Sequence, residues 1–259
     1  MFGLGKKRKN GASGPIGQRA YVVGDVHGMD ALLDDLLAQI ERDLAERPVR
    51  KALLVFVGDL IDRGPGSAQV IERLRTYRHG GLRTVFLLGN HEEVLLRLLG
   101  GDTKPVSDWR AFGGKECMAS YGADPAEFAA MDKRRAAQLV GQLVPKEHRD
   151  FLATFADTCR FGDYLIVHAG VRPGVELEQQ SQADLRWIRG PFLDDLTDHG
   201  FVVVHGHTIV PTIEERANRI GIDTGAYRTG ILTALVIEEG ERRFLSARAV
   251  NQPTPAPMH

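Results

Sequence analysis

The chain has 259 residues, 43% of them hydrophobic and 26% charged, and its 33 Lys plus Arg against 34 Asp plus Glu leave a formal net charge of -1 at pH 7. That balance counts against a phosphate-backbone binder, which needs a basic surface, and no stretch approaches the roughly 20 apolar residues of a membrane span. Cys117 and Cys159 are too few for a disulfide framework and lack the CxxC spacing of a zinc site.

Residues 1–19 carry Lys6, Lys7, Arg8 and Lys9 among glycines with no apolar period and no apolar run of the secretory kind, so a flexible basic tail on a cytoplasmic protein is expected. A single domain is expected over residues 20–249. A short apolar run from Ala20 ends in Gly24-Asp25, and Leu32, Leu33, Leu36, Leu37, Ile40 and Leu44 then recur at helical spacing. The unit repeats: residues 52–57 close on Gly58-Asp59, and Val70, Ile71, Leu74 and Tyr77 share a helical face. A third copy runs over residues 82–88, closes on Gly89-Asn90 and leads to Val94, Leu95, Leu98 and Leu99. Strands alternating with helices predict a largely parallel sheet and an α/β fold. Residues 101–146 break the rhythm with Pro105, Gly113, Gly114, Gly122, Pro125 and Pro145, which predicts a helical insertion or cap. Two further apolar runs, 164–167 and 201–204, end at His168 and at His205-Gly206-His207. Residues 219–222, 231–237 and 242–249 read as strands joined by turns, and the Pro-rich residues 250–259 as a second flexible tail.

Five apolar strands are thus followed at once by side chains able to bind metal: Asp25 and His27, Asp59 and Asp62, Asn90 and His91, His168, and His207. In open α/β sheets the carboxyl ends of the strands gather such residues at one edge. Carboxylates, imidazoles and an amide oxygen without thiolate suit Mn²⁺, Fe or Zn²⁺ better than a structural zinc knot or a calcium loop. Singly, a buried Asp after a strand is as well read as a helix cap, and His168 as a core histidine. His205 and His207, two residues apart, point the same way on an extended segment, so either could be a ligand.

The motifs read Gly24-Asp25-Val26-His27-Gly28, Gly58-Asp59-Leu60-Ile61-Asp62-Arg63-Gly64 and Gly89-Asn90-His91-Glu92. The five fixed positions of the middle one would arise by chance in a chain of this length with a probability on the order of 10⁻⁴. Over about residues 20–249 the chain resembles the metal-dependent phosphoprotein phosphatase family within the calcineurin-like metallophosphoesterases, and within it the small bacterial and phage members. The resemblance implies a β-sandwich of mixed sheets flanked by helices. It also implies two divalent cations, Mn²⁺ above all, with Asp25, His27 and the bridging Asp59 on the first and Asp59, Asn90, His168 and His207 on the second. It gives His91 the part of proton donor to the departing oxygen, with Asp62 holding its ring, and it makes Arg63 and Arg189 a phosphate clamp. Arg186, three residues before Arg189, is the competing arginine, and His205 falls behind the ligands. Asp223-Thr224-Gly225 is expected to support the site as a turn, and Glu92 to cap the following helix or fix a neighbour.

The reaction implied is hydrolysis of a phosphomonoester by direct in-line attack of metal-bound hydroxide, without a covalent phosphoenzyme. Phosphoserine or phosphothreonine in proteins is the leading substrate, and phosphorylated small molecules such as dinucleoside polyphosphates are the alternative. In the symmetrical dinucleoside tetraphosphatases the position of His27 is usually Gln, which counts mildly against that alternative. A non-catalytic phosphate-binding scaffold is the third reading, disfavoured because Asp62, Arg63 and His91 are all retained. Neither membrane nor nucleic acid is an expected partner.

Overall fold

The computed structural model describes residues 11–210 and 212–249. Two five-stranded sheets face each other. The first has the order β10-β9-β1-β2-β3, with β1 (Gln18–Val23), β2 (Lys51–Phe56) and β3 (Leu82–Phe86) parallel and the hairpin of β9 (Ile231–Glu238) and β10 (Glu241–Arg248) antiparallel beside β1. The second has the order β4-β5-β6-β8-β7. Here β5 (Tyr164–Val167), β6 (Val202–His205) and β8 (Arg219–Gly221) are parallel, and β4 (Thr158–Phe161) and β7 (Glu214–Glu215) are antiparallel edges.

The central strands are apolar in unbroken runs, residues 20–23 of β1, 52–56 of β2, 164–167 of β5 and 202–204 of β6, because both faces of each sheet are covered there. Side-chain alternation divides them. Val22, Val55, Ile166, Val204, Ile220 and Leu235 meet between the sheets. Tyr21, Val23, Leu54 and Phe56 point instead to α1 (Asp30–Glu46), α2 (Ser67–Thr76) and α3 (Asn90–Leu99). On the outer face of the second sheet, Leu165, Val167 and Val203 pack with Leu185, Ile188 and Phe192 around α9 (Gln182–Trp187). The layering is therefore helix, sheet, sheet, helix, with mixed sheets as expected.

The insertion is helical, with α4 (Val106–Trp109), α5 (Lys115–Ser120), α6 (Pro125–Ala130), α7 (Lys133–Leu143) and α8 (Lys146–Leu152), and the chain kinks between α4 and α5 at Phe112 and Gly113, whose dihedrals are not helical. Trp109, Met118, Phe128 and Val140 share the core of the first helical layer, so the insertion thickens that layer and does not stand apart.

Residues 11–19 correct the expectation of a tail as far as residue 19. Ala12 is buried, Ser13 N donates to Asp163 Oδ2 at 3.0 Å and Gly14 N to Glu239 O at 2.7 Å, and β1 already begins at Gln18. Backbone hydrogen bonds order this segment, and they leave no apolar period to read. Lys6 to Lys9 and the expected tail at 250–259 lie outside the described residues.

Candidate metal centre

The three N-terminal motifs form interlocked loops at the carboxyl ends of β1, β2 and β3. Val26 N and His27 N both donate to Asp59 O, at 3.1 and 2.9 Å, and Gly28 N donates to Leu60 O at 2.8 Å. Glu92, in the first turn of α3, reaches back into the second loop. Its carboxylate accepts from Asp59 N at 2.8 Å, Leu60 N at 2.7 Å, Ile61 N at 3.3 Å and Gly89 N at 3.1 Å. It therefore both caps α3 and fixes its neighbour. A β-carbon at Gly89 would overlap Asp59 Oδ1 and the Asp59 backbone nitrogen, which is why the third motif opens with glycine. Five non-glycine residues here, His27, Asp59, Asp62, Arg63 and His207, have φ between 46° and 71°.

The expected ligands converge. His27 Nδ1 is 2.8 Å from Ile61 O and His168 Nδ1 is 2.9 Å from Val57 O, so each of these nitrogens donates to a carbonyl and each Nε2 carries a lone pair. Those lone pairs face other acceptors. His27 Nε2 stands 3.7 Å from Asp59 Oδ2, and His168 Nε2 stands 3.4 Å from Asp59 Oδ1 and 3.0 Å from Asn90 Oδ1. Acceptor facing acceptor at buried sites is an arrangement that a cation completes. Two clusters result, His27 with Asp59 and His91, and Asp59 with His168 and His207, each with ligand atoms within 4.8 Å of one another. Asp59 belongs to both and turns one oxygen to each.

Asp25 belongs to neither cluster, although it is buried beside them. Its Oδ2 accepts from His207 N at 3.0 Å. Among the described residues, Asp25 Oδ1 and His207 Nε2 are buried acceptors without a partner. Burial, then the charges of Asp223 and Asp59, push the Asp25 carboxyl well up. Burial, followed by the neighbouring imidazoles, pushes His27 down to about 3 and His207 down to about 2, and burial lowers His168 as well. Crowded carboxyl groups and neutral imidazoles together form a donor set suited to divalent cations.

His91 differs from the other imidazoles. Its Nδ1 is 2.5 Å from Asp62 Oδ2 and its Nε2 is 3.8 Å from Asp59 Oδ2. Burial opposes its charge, but Asp59 and the Asp62 hydrogen bond overcome this and push it up to about 9. Burial and the charge of Asp59 push Glu92 up as well, but two backbone N–H donors on each oxygen leave no acceptor for a carboxyl proton and hold it as the carboxylate.

The arginines separate cleanly. Arg186 is tied to Asp157 at 2.6 Å and to Glu93 at 3.2 Å. Arg189 donates to Thr208 Oγ1 at 3.0 Å and, with Arg63, lines two adjoining cavities of about 300 and 340 Å³ that also expose Asn90, His91 and His207. Arg63 donates to the hydroxyl of Tyr227 and lies 4.7 Å over its ring. His205 is away from both clusters, its Nδ1 on Gly206 O at 3.0 Å and its ring edge-on to Phe192. Asp223 caps the turn at Gly225 N, at 2.8 Å, and is more than a support, because it lies beside Asp25 and lines a cavity. Two contributors carried no signal in the sequence pattern: Tyr227, and Trp109, whose indole donates to Asp62 Oδ2 at 2.8 Å.

The family model for the calcineurin-like phosphoesterases matches residues 19–230. The chain belongs to that family. Its relatives divide in name. A bis(5'-nucleosyl)-tetraphosphatase described as asymmetrical, from Anoxybacillus flavithermus, is 28% identical over 85% of this chain and 91% of its own. Serine/threonine-protein phosphatase 1 of Salmonella typhimurium is 29% identical over 85% and 93%. A crystal structure of a putative diadenosine tetraphosphatase superposes with a TM-score of 0.63 at 23% identity, over 91% of this chain and 98% of that one, which shows a shared fold. This calcineurin-like phosphoesterase has no helix among its described residues long and apolar enough to cross a membrane.

Proposed function

We propose that this phosphoesterase is a cytoplasmic protein phosphatase acting on phosphoserine and phosphothreonine. The observation that carries the reading is the buried pair of His91 and Asp62 beside the shared Asp59. A serine or threonine alkoxide leaves poorly unless it is protonated, whereas the nucleotide released from a polyphosphate departs as a stable anion. A proton donor held beside the cation site therefore serves an alkyl phosphomonoester more than an anhydride.

Asp25, His27 and Asp59 would hold one divalent cation, and Asp59, Asn90, His168 and His207 the other. The thiol-free donor set of carboxylate, imidazole and amide oxygen accommodates Mn²⁺, Fe or Zn²⁺, and of these Mn²⁺ is the one the family resemblance favours. What bound cations supply at such a site is an acidified water and compensation of charge on the phosphoryl oxygens. The chain does the rest. Arg63 and Arg189 line both cavities, and the fork geometry of a guanidinium matches a tetrahedral oxyanion. His91 Nδ1 is held by Asp62, which leaves Nε2 to give its proton to the leaving oxygen.

A second reading, hydrolysis of dinucleoside polyphosphates, has one feature in its favour. Phe112 and Trp187, 59% and 43% exposed, flank the same cavity and offer faces to a nucleobase. A panel of phosphoserine, phosphothreonine and phosphotyrosine peptides against dinucleoside tetraphosphates, with Mn²⁺, tests the choice. Higher kcat/KM on the first two peptides is expected, and turnover confined to the dinucleotides overturns it.

A further inference from the structure

Asp62 is fully buried with a left-handed backbone, φ 71°, and its Oδ1 has no partner among the described residues. Two donors fix its carboxylate, both on Oδ2: His91 Nδ1 at 2.5 Å and Trp109 Nε1 at 2.8 Å. The second comes from the helical insertion, 47 residues further along the chain. Trp109 is itself held, 3% exposed and edge-on to Phe128 at 6.1 Å between ring centres.

From Trp109 the chain kinks at Phe112 and Gly113 and touches the same loop again. Gly113 O accepts from Arg63 N at 3.3 Å. Gly113 has φ 111°, and a β-carbon there would collide with the Arg63 backbone. One turn of the insertion thus grips two consecutive residues of the second motif, the partner of His91 and the clamp arginine.

We propose that Trp109 is a positioning residue for proton transfer by His91. Its indole N–H locks the Asp62 carboxylate in the one rotation that holds the imidazole with Nε2 toward the leaving oxygen, which makes the insertion part of the catalytic unit. The inference rests on the reading of His91 as proton donor. Without the indole, His91 is the one aligned hydrogen-bond donor left on Oδ2, with the buried Cys117 thiol as the carboxylate's other neighbour, so the imidazole loses part of what fixes its aim.

The test is Trp109→Phe in the full chain, with Mn²⁺ content measured, on a phosphoserine peptide and on nitrophenyl phosphate, whose leaving group needs no proton. A hydrogen bond to a charged group, once removed, predicts about a tenfold lower kcat on the peptide, with a smaller loss on the aryl ester, KM little changed and metal content kept. In a His91→Asn background the same substitution should add nothing, because residues acting as one unit are not additive. A benzothienylalanine at 109, which keeps the ring volume and replaces only N–H by sulfur, gives the same readouts if the Phe variant does not fold. Equal losses on both substrates, no loss, or a full second loss in the His91→Asn background overturns the proposal. If His91→Asn itself shows no preference between leaving groups, the proton-donor reading falls and the positioning role with it. If His91→Asn discriminates and neither Trp109 variant does, only the positioning role falls.

Discussion

Glu92→Gln isolates what holds the metal-bearing loops together, because it changes one atom and no volume. Each carboxylate oxygen of Glu92 accepts from two backbone N–H groups, Oε1 from Leu60 and Ile61, Oε2 from Asp59 and Gly89. Whichever way an amide turned, its NH₂ would face two of these donors. Two buried N–H groups would lose their acceptor, at about 1 to 3 kcal/mol each, or about 2 to 6 kcal/mol together. For a chain of this size each kcal/mol moves Tm by about 2 to 4 °C, so a drop of about 4 to 24 °C is expected. Thermal unfolding followed by circular dichroism, with and without Mn²⁺, measures it. The variant should also bind Mn²⁺ more weakly, since Glu92 sets the backbone of Asp59. A Tm within about 2 °C of wild type would mean that Glu92 carries a proton in the folded chain, or that the loop finds other acceptors, and the argument would fail.

Asp59→Asn should lose both cations and all turnover, whereas His27→Ala should keep one ion of two; metal analysis of the purified variants separates the cases, and full metal content in Asp59→Asn would count against a shared ligand. Arg189→Ala should weaken inhibition by inorganic phosphate by about tenfold with metal content unchanged. Arg186→Ala should leave that inhibition alone and lower Tm, because its partners are Asp157 and Glu93; the reverse pattern would exchange the two roles. His91→Asn should cost about 10² to 10⁴ in kcat on a phosphoserine peptide and much less on nitrophenyl phosphate, and equal losses at equal metal content would show that His91 does not donate the proton.

The strand ends were legible because the chemistry follows the apolar run at once. Asp25, Asp59, Asn90, His168 and His207 each come within a few residues of a strand whose alternation is hidden only by burial on both faces. The two arginines were not separable in that way. Arg186 and Arg189 are alike in sequence, and what distinguishes them is a pair of carboxylates, 29 and 93 residues away, that claim Arg186. Trp109 was illegible for the same reason, since its partner lies in a loop 47 residues earlier. The edge strands β4 and β7 escaped notice because Thr158–Phe161 is half exposed and Glu214–Glu215 is only two residues long. A pattern resting on periodicity reports what is buried regularly, and it is silent where a single long-range hydrogen bond does the holding.

The left-handed residues of the site explain why its motifs mix glycine with charged side chains. His27, Asp59, Asp62, Arg63 and His207 occupy a backbone region that costs a residue with a β-carbon about 1 kcal/mol or more. Glycine would fit each position without strain, so the side chains are there for what they bind. Arg63 permits a direct measurement, because its guanidinium reaches a cavity and its φ is 66°. Arg63→Ala removes the side chain and keeps the strain; Arg63→Gly removes both. In most loops glycine is the less stable of the two, since it widens the unfolded ensemble by about 0.4 to 1 kcal/mol. Here relief of about 1 to 2 kcal/mol in the folded chain should outweigh that, so Arg63→Gly should melt at the same temperature as Arg63→Ala or a few degrees above it. The comparison does not involve turnover, because both variants lack the clamp. If the glycine variant melts clearly below the alanine one, the Arg63 backbone is not strained and the motif's conformation is the chain's own preference.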